Sequence, residues 1–156
     1  MTGWAFDPTD AIMRVMDAAF DPQFGEAWNR RQVADALLLS YTHIALADAT
    51  GGEPMDEAAT VAFAMLRHIA GEEELLLIAV DPAHRGKGVA AALLLRVLEH
   101  ARNRGASRIF LEMRDGNSAE RLYRNNGFAP IGRRKDYYRR GNSGPYDAVT
   151  FARQID

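Results

Sequence analysis

The chain has 156 residues, a formal net charge of −2 and no cysteine, enough length to bury roughly two-thirds of its unfolded surface in one domain spanning residues 1–156. Near-balanced charge argues against nucleic acid or an anionic membrane surface as the main partner, and the missing cysteine excludes disulfides, thiolate metal ligands and a cysteine nucleophile. No run of about 18 apolar residues is present and the opening stretch Met1 to Asp7 lacks the basic and apolar regions of a secretory signal, so a cytoplasmic protein is expected; His43, His68, His84 and His100 are too scattered to bind a metal.

In chain order, Asp10 is placed to cap a helix carrying Ile12, Val15, Met16 and Ala19 that ends near Asp21-Pro22. A second helix is expected over Glu26 to Leu38, with Trp28, Val33 and Leu37 as its apolar positions. Tyr41 to Ala47 and Val61 to His68 read as strands across a glycine- and proline-bearing loop, and Gly71-Glu72 turns the chain into a third, Leu75 to Val80, completing an antiparallel meander. Asp81-Pro82 breaks that strand, after which Ala90, Leu93, Leu94, Val97, Leu98 and Ala101 recur at the spacing of one helical face.

Gly105 is placed to stop this helix, and Ile109 to Met113 gives the next strand, so the crossover is right-handed and the strands it joins are parallel. Ser118 is expected to cap a short helix through Asn126, closed by Gly127, with Phe128 to Gly132 returning as a strand and Asp147 to Gln154 as an antiparallel edge strand. The sum is an α+β fold with one mixed, twisted sheet and flanking helices.

Between the third strand and its helix stand Arg85, Gly86, Lys87 and Gly88. The first N–H groups of that helix lack internal partners and the dipole's positive end points outward there, which suits an anion. The segment is neither a Walker A loop nor the dinucleotide Gly-x-Gly-x-x-Gly. The plain alternative is a tight strand–helix connection whose glycines only relieve crowding. Arg85-x-x-Gly88-x-Ala90 after a hydrophobic strand resembles the Arg/Gln-x-x-Gly-x-Gly/Ala pyrophosphate loop of the GNAT superfamily of acetyl-CoA-dependent N-acetyltransferases. The resemblance implies that the strand before the loop splays from its parallel neighbour and that acetyl-CoA lies in the gap. Backbone groups of Ile78, Ala79 and Val80 would then face the pantetheine arm, and Arg85, Gly86, Lys87, Gly88, Val89 and Ala90 would hold the pyrophosphate, with Lys87 equally readable as a solvated charge.

Attack of an amine on a thioester needs a neutral nitrogen and then a proton for the departing thiolate, so two proton-transfer groups are useful. Glu112 interrupts the apolar strand Ile109 to Met113, and Tyr123 lies in Leu122-Tyr123-Arg124-Asn125-Asn126-Gly127-Phe128. That string resembles the Leu-Tyr-x-x-x-Gly-Phe motif of GNAT proteins. Together with Leu111-Glu112-Met113-Arg114, Arg133 to Tyr138 and Asp147-Ala148, it is most similar to the RimI branch, which acetylates the N-terminal alanine of a ribosomal small-subunit protein.

The resemblance makes Glu112 the base, Tyr123 the acid near the CoA sulfur and Asn117 a CoA contact. Asn117 precedes Tyr123 by six positions, where the branch has seven. The competing structural readings are an exposed Glu112 paired with Arg114 or Arg108, Tyr123 as a core aromatic and Asn117 as a turn residue. Tyr137 and Tyr138 either wall the acceptor site or pack a hairpin. Arg133, Arg134, Lys135, Arg139 and Arg140 read as a solvated basic face. The implied activity is acetyl transfer to a protein N-terminus, with a small-molecule amine acetyltransferase and a non-catalytic CoA-binding module as alternatives.

Overall fold

The computed structural model describes residues 3–139 and 144–156; Arg140 of the basic stretch lies outside them. Helix α1 (Pro8–Ala19) buries Ile12, Val15 and Met16 as the spacing requires. Asp7, not Asp10, caps it: the Asp7 carboxylate accepts the Thr9 N–H at 2.9 Å, and Pro8 stands first in the helix, where a missing N–H is harmless. Asp10, inside the first turn, pairs with Arg30 instead. Helix α2 (Arg30–Leu37) starts later than its apolar pattern suggests, because Asn29 and Gln32 form a reciprocal capping box with both bonds at 2.8 Å. Trp28 is left in the loop before it.

Strands β1 (Thr42–Ala47), β2 (Ala62–Ile69) and β3 (Glu72–Val80) form the antiparallel meander. Ala70 and Gly71 both take positive φ, 51° and 79°, so they make the two-residue turn and Glu72 is already in the strand. Helix α3 (Val89–Asn103) follows, and Gly105 ends it at φ 84°, with the Ala106 N–H reaching back to the Ala101 carbonyl at 3.0 Å. β4 (Arg108–Arg114) then lies parallel to β3.

Ser118 does not cap the short helix α4 (Glu120–Asn125); the Asn117 side chain takes the turn, accepting the Ala119 N–H at 2.8 Å. β5 (Ala129–Tyr138) runs past Gly132, with a register shift between Arg134 and Tyr138 and Asp136 at φ 52°.

The strand order is β1-β2-β3-β4-β6-β5, so β6 (Tyr146–Gln154) is interior, antiparallel to both β4 and β5, rather than an edge. Burial explains the correction. β6 sends Val149 and Phe151 into the α3-side core beside Ile109, Leu111 and Met113 of β4, whereas β5 is exposed along most of its length and takes the edge.

The two sheet faces are covered unequally. Helix α3, with Tyr123 and Phe128, packs across one face, while α1 and α2 cover the other only over β1 to β3. Arg108, Phe110, Glu112 and Arg114 of β4 therefore point to a face that no long helix roofs. Among the described residues no helix is long and apolar enough to cross a membrane.

Candidate active site

The parallel β3–β4 ladder has three residue pairs and ends at Leu75 opposite Leu111. At that point Leu76 bulges: Leu66 faces Leu75 but Met65 faces Leu77, so Leu76 has no partner on β2. The extra residue flips the alternation. Leu75 packs on the α3 side, Leu77 and Ala79 on the α1 side, and Ile78 and Val80 return to the α3 side. From Leu76 to Val80 the strand keeps β2 along one edge and has no strand along the other. The expected splay is therefore present, and it begins at a bulge.

Two adjoining clefts open at the splay. The first, about 370 Å³, is walled by Ile78, Ala79, Val80, Arg85 and Ala90. The second, about 520 Å³, is walled by Glu112, Tyr137, Tyr138 and Trp28. Phe20, Glu26, Ile78, Asn117 and Tyr123 belong to both.

At the mouth of the first cleft, the Asp81 carboxylate accepts the Ala83 N–H at 2.9 Å and closes a one-turn 3₁₀ segment, Pro82–His84. Gly86 and Gly88 then take φ of 75° and 82°, and a Cβ added at either would meet nothing within 4 Å. Crowding is thus not why glycine stands there; the left-handed backbone is. No side-chain hydrogen bond caps α3, so its opening N–H groups have no intrahelical or side-chain partner among the described residues. The Val89 side chain is buried, leaving only its N–H available, and Lys87 is exposed. Arg85 is strapped inward, donating from Nε to the Val80 carbonyl at 3.2 Å and from Nη2 to the Ala19 carbonyl at 2.8 Å. Although exposed, it joins α1 to the end of β3 and puts a positive charge on the wall of the first cleft.

Tyr123 projects from α4 into the junction of the clefts and is 6 % exposed, its ring tilted against Phe128 and Phe151 at 5.8 and 6.4 Å. It is core and cleft wall together. Burial, reinforced by Glu26 and then Tyr138, pushes its hydroxyl well above the usual tyrosine range, so it stays protonated.

Glu112 does not interrupt a buried row: it lies on the face opposite Leu111 and Met113. Its partner is neither Arg108 nor Arg114 but Arg134 of β5, Nε to Oε2 at 3.1 Å, with the Thr150 hydroxyl donating to the same oxygen at 3.4 Å. Arg108 pairs with Glu72 and Arg114 with Glu26. Tyr138 donates its hydroxyl to the Glu112 carbonyl at 3.4 Å, and burial, then Glu112 and Glu26, push that phenol up to about 12. The Tyr137 and Tyr138 rings meet edge-on at 5.4 Å, and both line the second cleft. Asn117 combines its turn bond with a place in both clefts and donates to Glu26 Oε2 at 3.4 Å. Among the described residues no three His, Asp or Glu side chains are grouped to hold a metal ion.

From sequence, neither Glu26 nor Arg114 has a place in the site; Arg114 figures there in the motif with Glu112 and as a candidate partner of that residue. Glu26 follows a 3₁₀ turn, Pro22–Phe24, capped by Asp21 and ended by Gly25 at φ 62°. The signal was an Asp-Pro…Gly turn directly before an acid and an aromatic residue, which places that acid in a shaped loop rather than in the first turn of a helix.

Residues 11–128 match the acetyltransferase (GNAT) family. The chain is 37% identical over 93 residues, 59% of its own length and 64% of the relative's, to a ribosomal protein bS18-alanine N-acetyltransferase of Haemophilus ducreyi. It is 35% identical over 95 residues, 60% and 64% of the two lengths, to the protein of that name in Escherichia coli. The match thus spans under two-thirds of these curated relatives. The crystal structure of the ribosomal-protein-S18-alanine N-acetyltransferase from Escherichia coli superposes with a TM-score of 0.77 at 24% identity, covering 95% of this chain and 88% of that one, a likeness of fold. A strand splayed at a bulge, a glycine turn opening an uncapped helix and a family match across both are one consistent set of observations, and the chain belongs to the acetyltransferase (GNAT) family.

Proposed function

We propose that the chain transfers an acetyl group from acetyl-CoA to a primary amine in the cytoplasm, and that the amine is the N-terminal α-amine of a ribosomal small-subunit protein beginning with alanine. The observation that carries the proposal is the position of Tyr123, one buried hydroxyl-bearing side chain forming a wall shared by a cleft with open backbone donors and a cleft lined by carboxylates and tyrosines. The open N–H groups of α3 suit a pyrophosphate, and the unpaired edge of β3 suits the amides of a pantetheine arm.

Glu112 takes a proton from the incoming ammonium, directly or through a water. The freed nitrogen bonds to the acyl carbon, the carbon–sulfur bond breaks as Tyr123 gives its hydroxyl proton to the sulfur, and the second proton on the new amide nitrogen passes to the Tyr123 oxygen, directly or through a water, restoring the phenol. An α-amine with an ordinary pKa of about 7.7–8.0 needs only a weak base, while a lysine near 10.4 needs far more help. Without cysteine, transfer within a ternary complex is the natural route. The names of the Haemophilus and Escherichia relatives point to the same acceptor.

Mass spectrometry of a recombinant ribosomal protein with an N-terminal alanine, incubated with this chain and acetyl-CoA, tests the proposal. The expected result is the gain of one acetyl group on the terminal amine, slowed in Glu112→Gln and in Tyr123→Phe. No gain alongside turnover on polyamines or aminoglycosides would reassign the acceptor. CoA binding without transfer to any amine would leave a binding module.

A further inference from the structure

Glu26 is the one carboxylate shared by both clefts, and it comes from a different element than Glu112. Its setting is built. The loop that carries it is fixed by Phe24, whose ring underlies the Arg114 guanidinium at 3.7 Å and meets Tyr146 edge-on at 5.8 Å. Arg114, itself buried, stands 3.5 Å from Oε1, while among the described residues Oε2 takes the neutral Asn117 amide at 3.4 Å. A carboxylate offers about four acceptor sites, so Oε2 has unused capacity facing the junction. The side chain is 16% exposed, and its charge is felt at both the Tyr123 and Tyr138 hydroxyls. Among the described residues lining the second cleft, Glu26 and Glu112 are anionic and Arg139 is cationic, and each carboxylate has one arginine partner, Arg114 for Glu26 and Arg134 for Glu112. Because Arg114 stands against Oε1, Oε2 is the oxygen of Glu26 able to take a charge-assisted bond from an ammonium in preference to a neutral ligand.

We propose, building on the acyl-transfer function above, that Glu26 is the counter-ion of the acceptor site: its Oε2 receives the ammonium group of the incoming primary amine beside Tyr123 and orients it toward Glu112. The proton leaves the nitrogen for the Glu112 carboxylate, and Glu26 stays ionised throughout. Glu26 thereby selects a charged primary amine over an amide or a hydroxyl before any bond is made.

The test is calorimetric titration of the CoA-bound protein near pH 7 with two probes, a short peptide beginning with alanine and the same peptide carrying an N-terminal acetyl group. A free α-amine is mostly protonated at that pH. The wild-type protein is expected to bind the free-amine peptide about tenfold more tightly, the scale of one charge-assisted contact. Glu26→Gln keeps an acceptor for Asn117, so it should bind the acetylated peptide as before and lose most of the preference, while Glu26→Asp restores part of it. A preference unchanged in Glu26→Gln, or an equal loss for both peptides, overturns the inference; the second result would make Glu26 a brace for Asn117 and Arg114. Melting of the variant, followed by circular dichroism, verifies that it folds. A wild-type protein that acetylates no peptide would instead overturn the proposed function, so the two failures are distinguishable.

Discussion

Leu75 and Leu111 are the last residues to face each other in the parallel β3–β4 ladder, and the very next residue, Leu76, is the bulge against β2. One inserted residue therefore re-aims the side chains of β3 at the same point where its pairing with β4 stops. Below this point the strand has neighbours on both edges; above it the backbone has one edge without a strand. Addition of CoA should slow amide hydrogen exchange across Leu76 to Val80 and across Gly86 to Ala91, and leave Glu72 to Leu75 unchanged. Hydrogen–deuterium exchange read by mass spectrometry checks this. Protection limited to the glycine turn would mean that the ligand does not use the open strand edge.

Gly88 and Gly105 stand at opposite ends of α3 with almost the same backbone, φ 82° and 84°, and neither would crowd a Cβ. Alanine at either position should cost about 1 kcal/mol through left-handed strain. Only Gly88→Ala displaces the N–H groups at the first cleft, so it should raise the KM for acetyl-CoA several-fold while Gly105→Ala leaves it alone. Equal kinetic effects would reduce the glycine turn to a contribution to helix stability.

Tyr123→Phe removes one oxygen and keeps the ring contacts with Phe128 and Phe151, so the melting temperature should hold while kcat drops by about 10²-fold, the usual scale for a lost proton donor. Because burial holds the hydroxyl protonated beyond its ordinary value of 10.0, the wild-type rate should show no alkaline decline attributable to this group up to that pH. A rate profile for Tyr123→Phe that matches the wild type in height would remove the tyrosine from the chemistry.

How much of this was legible from the chain depended on whether the cause was local. The glycine turn, the α3 stripe from Leu93 to Ala101 and the Leu122 to Phe128 segment each carry their reason within a few residues, and each lies where the pattern puts it. The place of β6 between β4 and β5 depends on which distant strand best shares the α3-side core, a comparison no single segment contains. Glu112 lies on an alternating strand, so its partner was set by the register of β5 across the sheet and became Arg134 rather than a neighbour in sequence. The apolar pattern opens a helix at Glu26, but the capping box that starts α2 lies three residues further on, at Asn29, and leaves Glu26 in the loop.

Glu73 offers a test at the other end of β3, away from both clefts. Its side chain is fully buried and bonded by Arg104 and His68. Burial alone would push its pKa up, but the bonds and charges of Arg104 and His68 outweigh it and hold the carboxyl below its ordinary 4.5. A depressed carboxyl stabilises the fold fully above the unfolded value and loses that contribution as the pH falls through the folded one. Glu73→Gln should therefore be less stable at pH 7, by about 3 kcal/mol if it behaves like other broken buried pairs, with kcat and KM unchanged. Below pH 4.5 the gap between variant and wild type should narrow and then close. Denaturant titrations at a series of pH values measure it directly, and a gap of constant size into strong acid would show that Glu73 contributes through packing rather than through its charge.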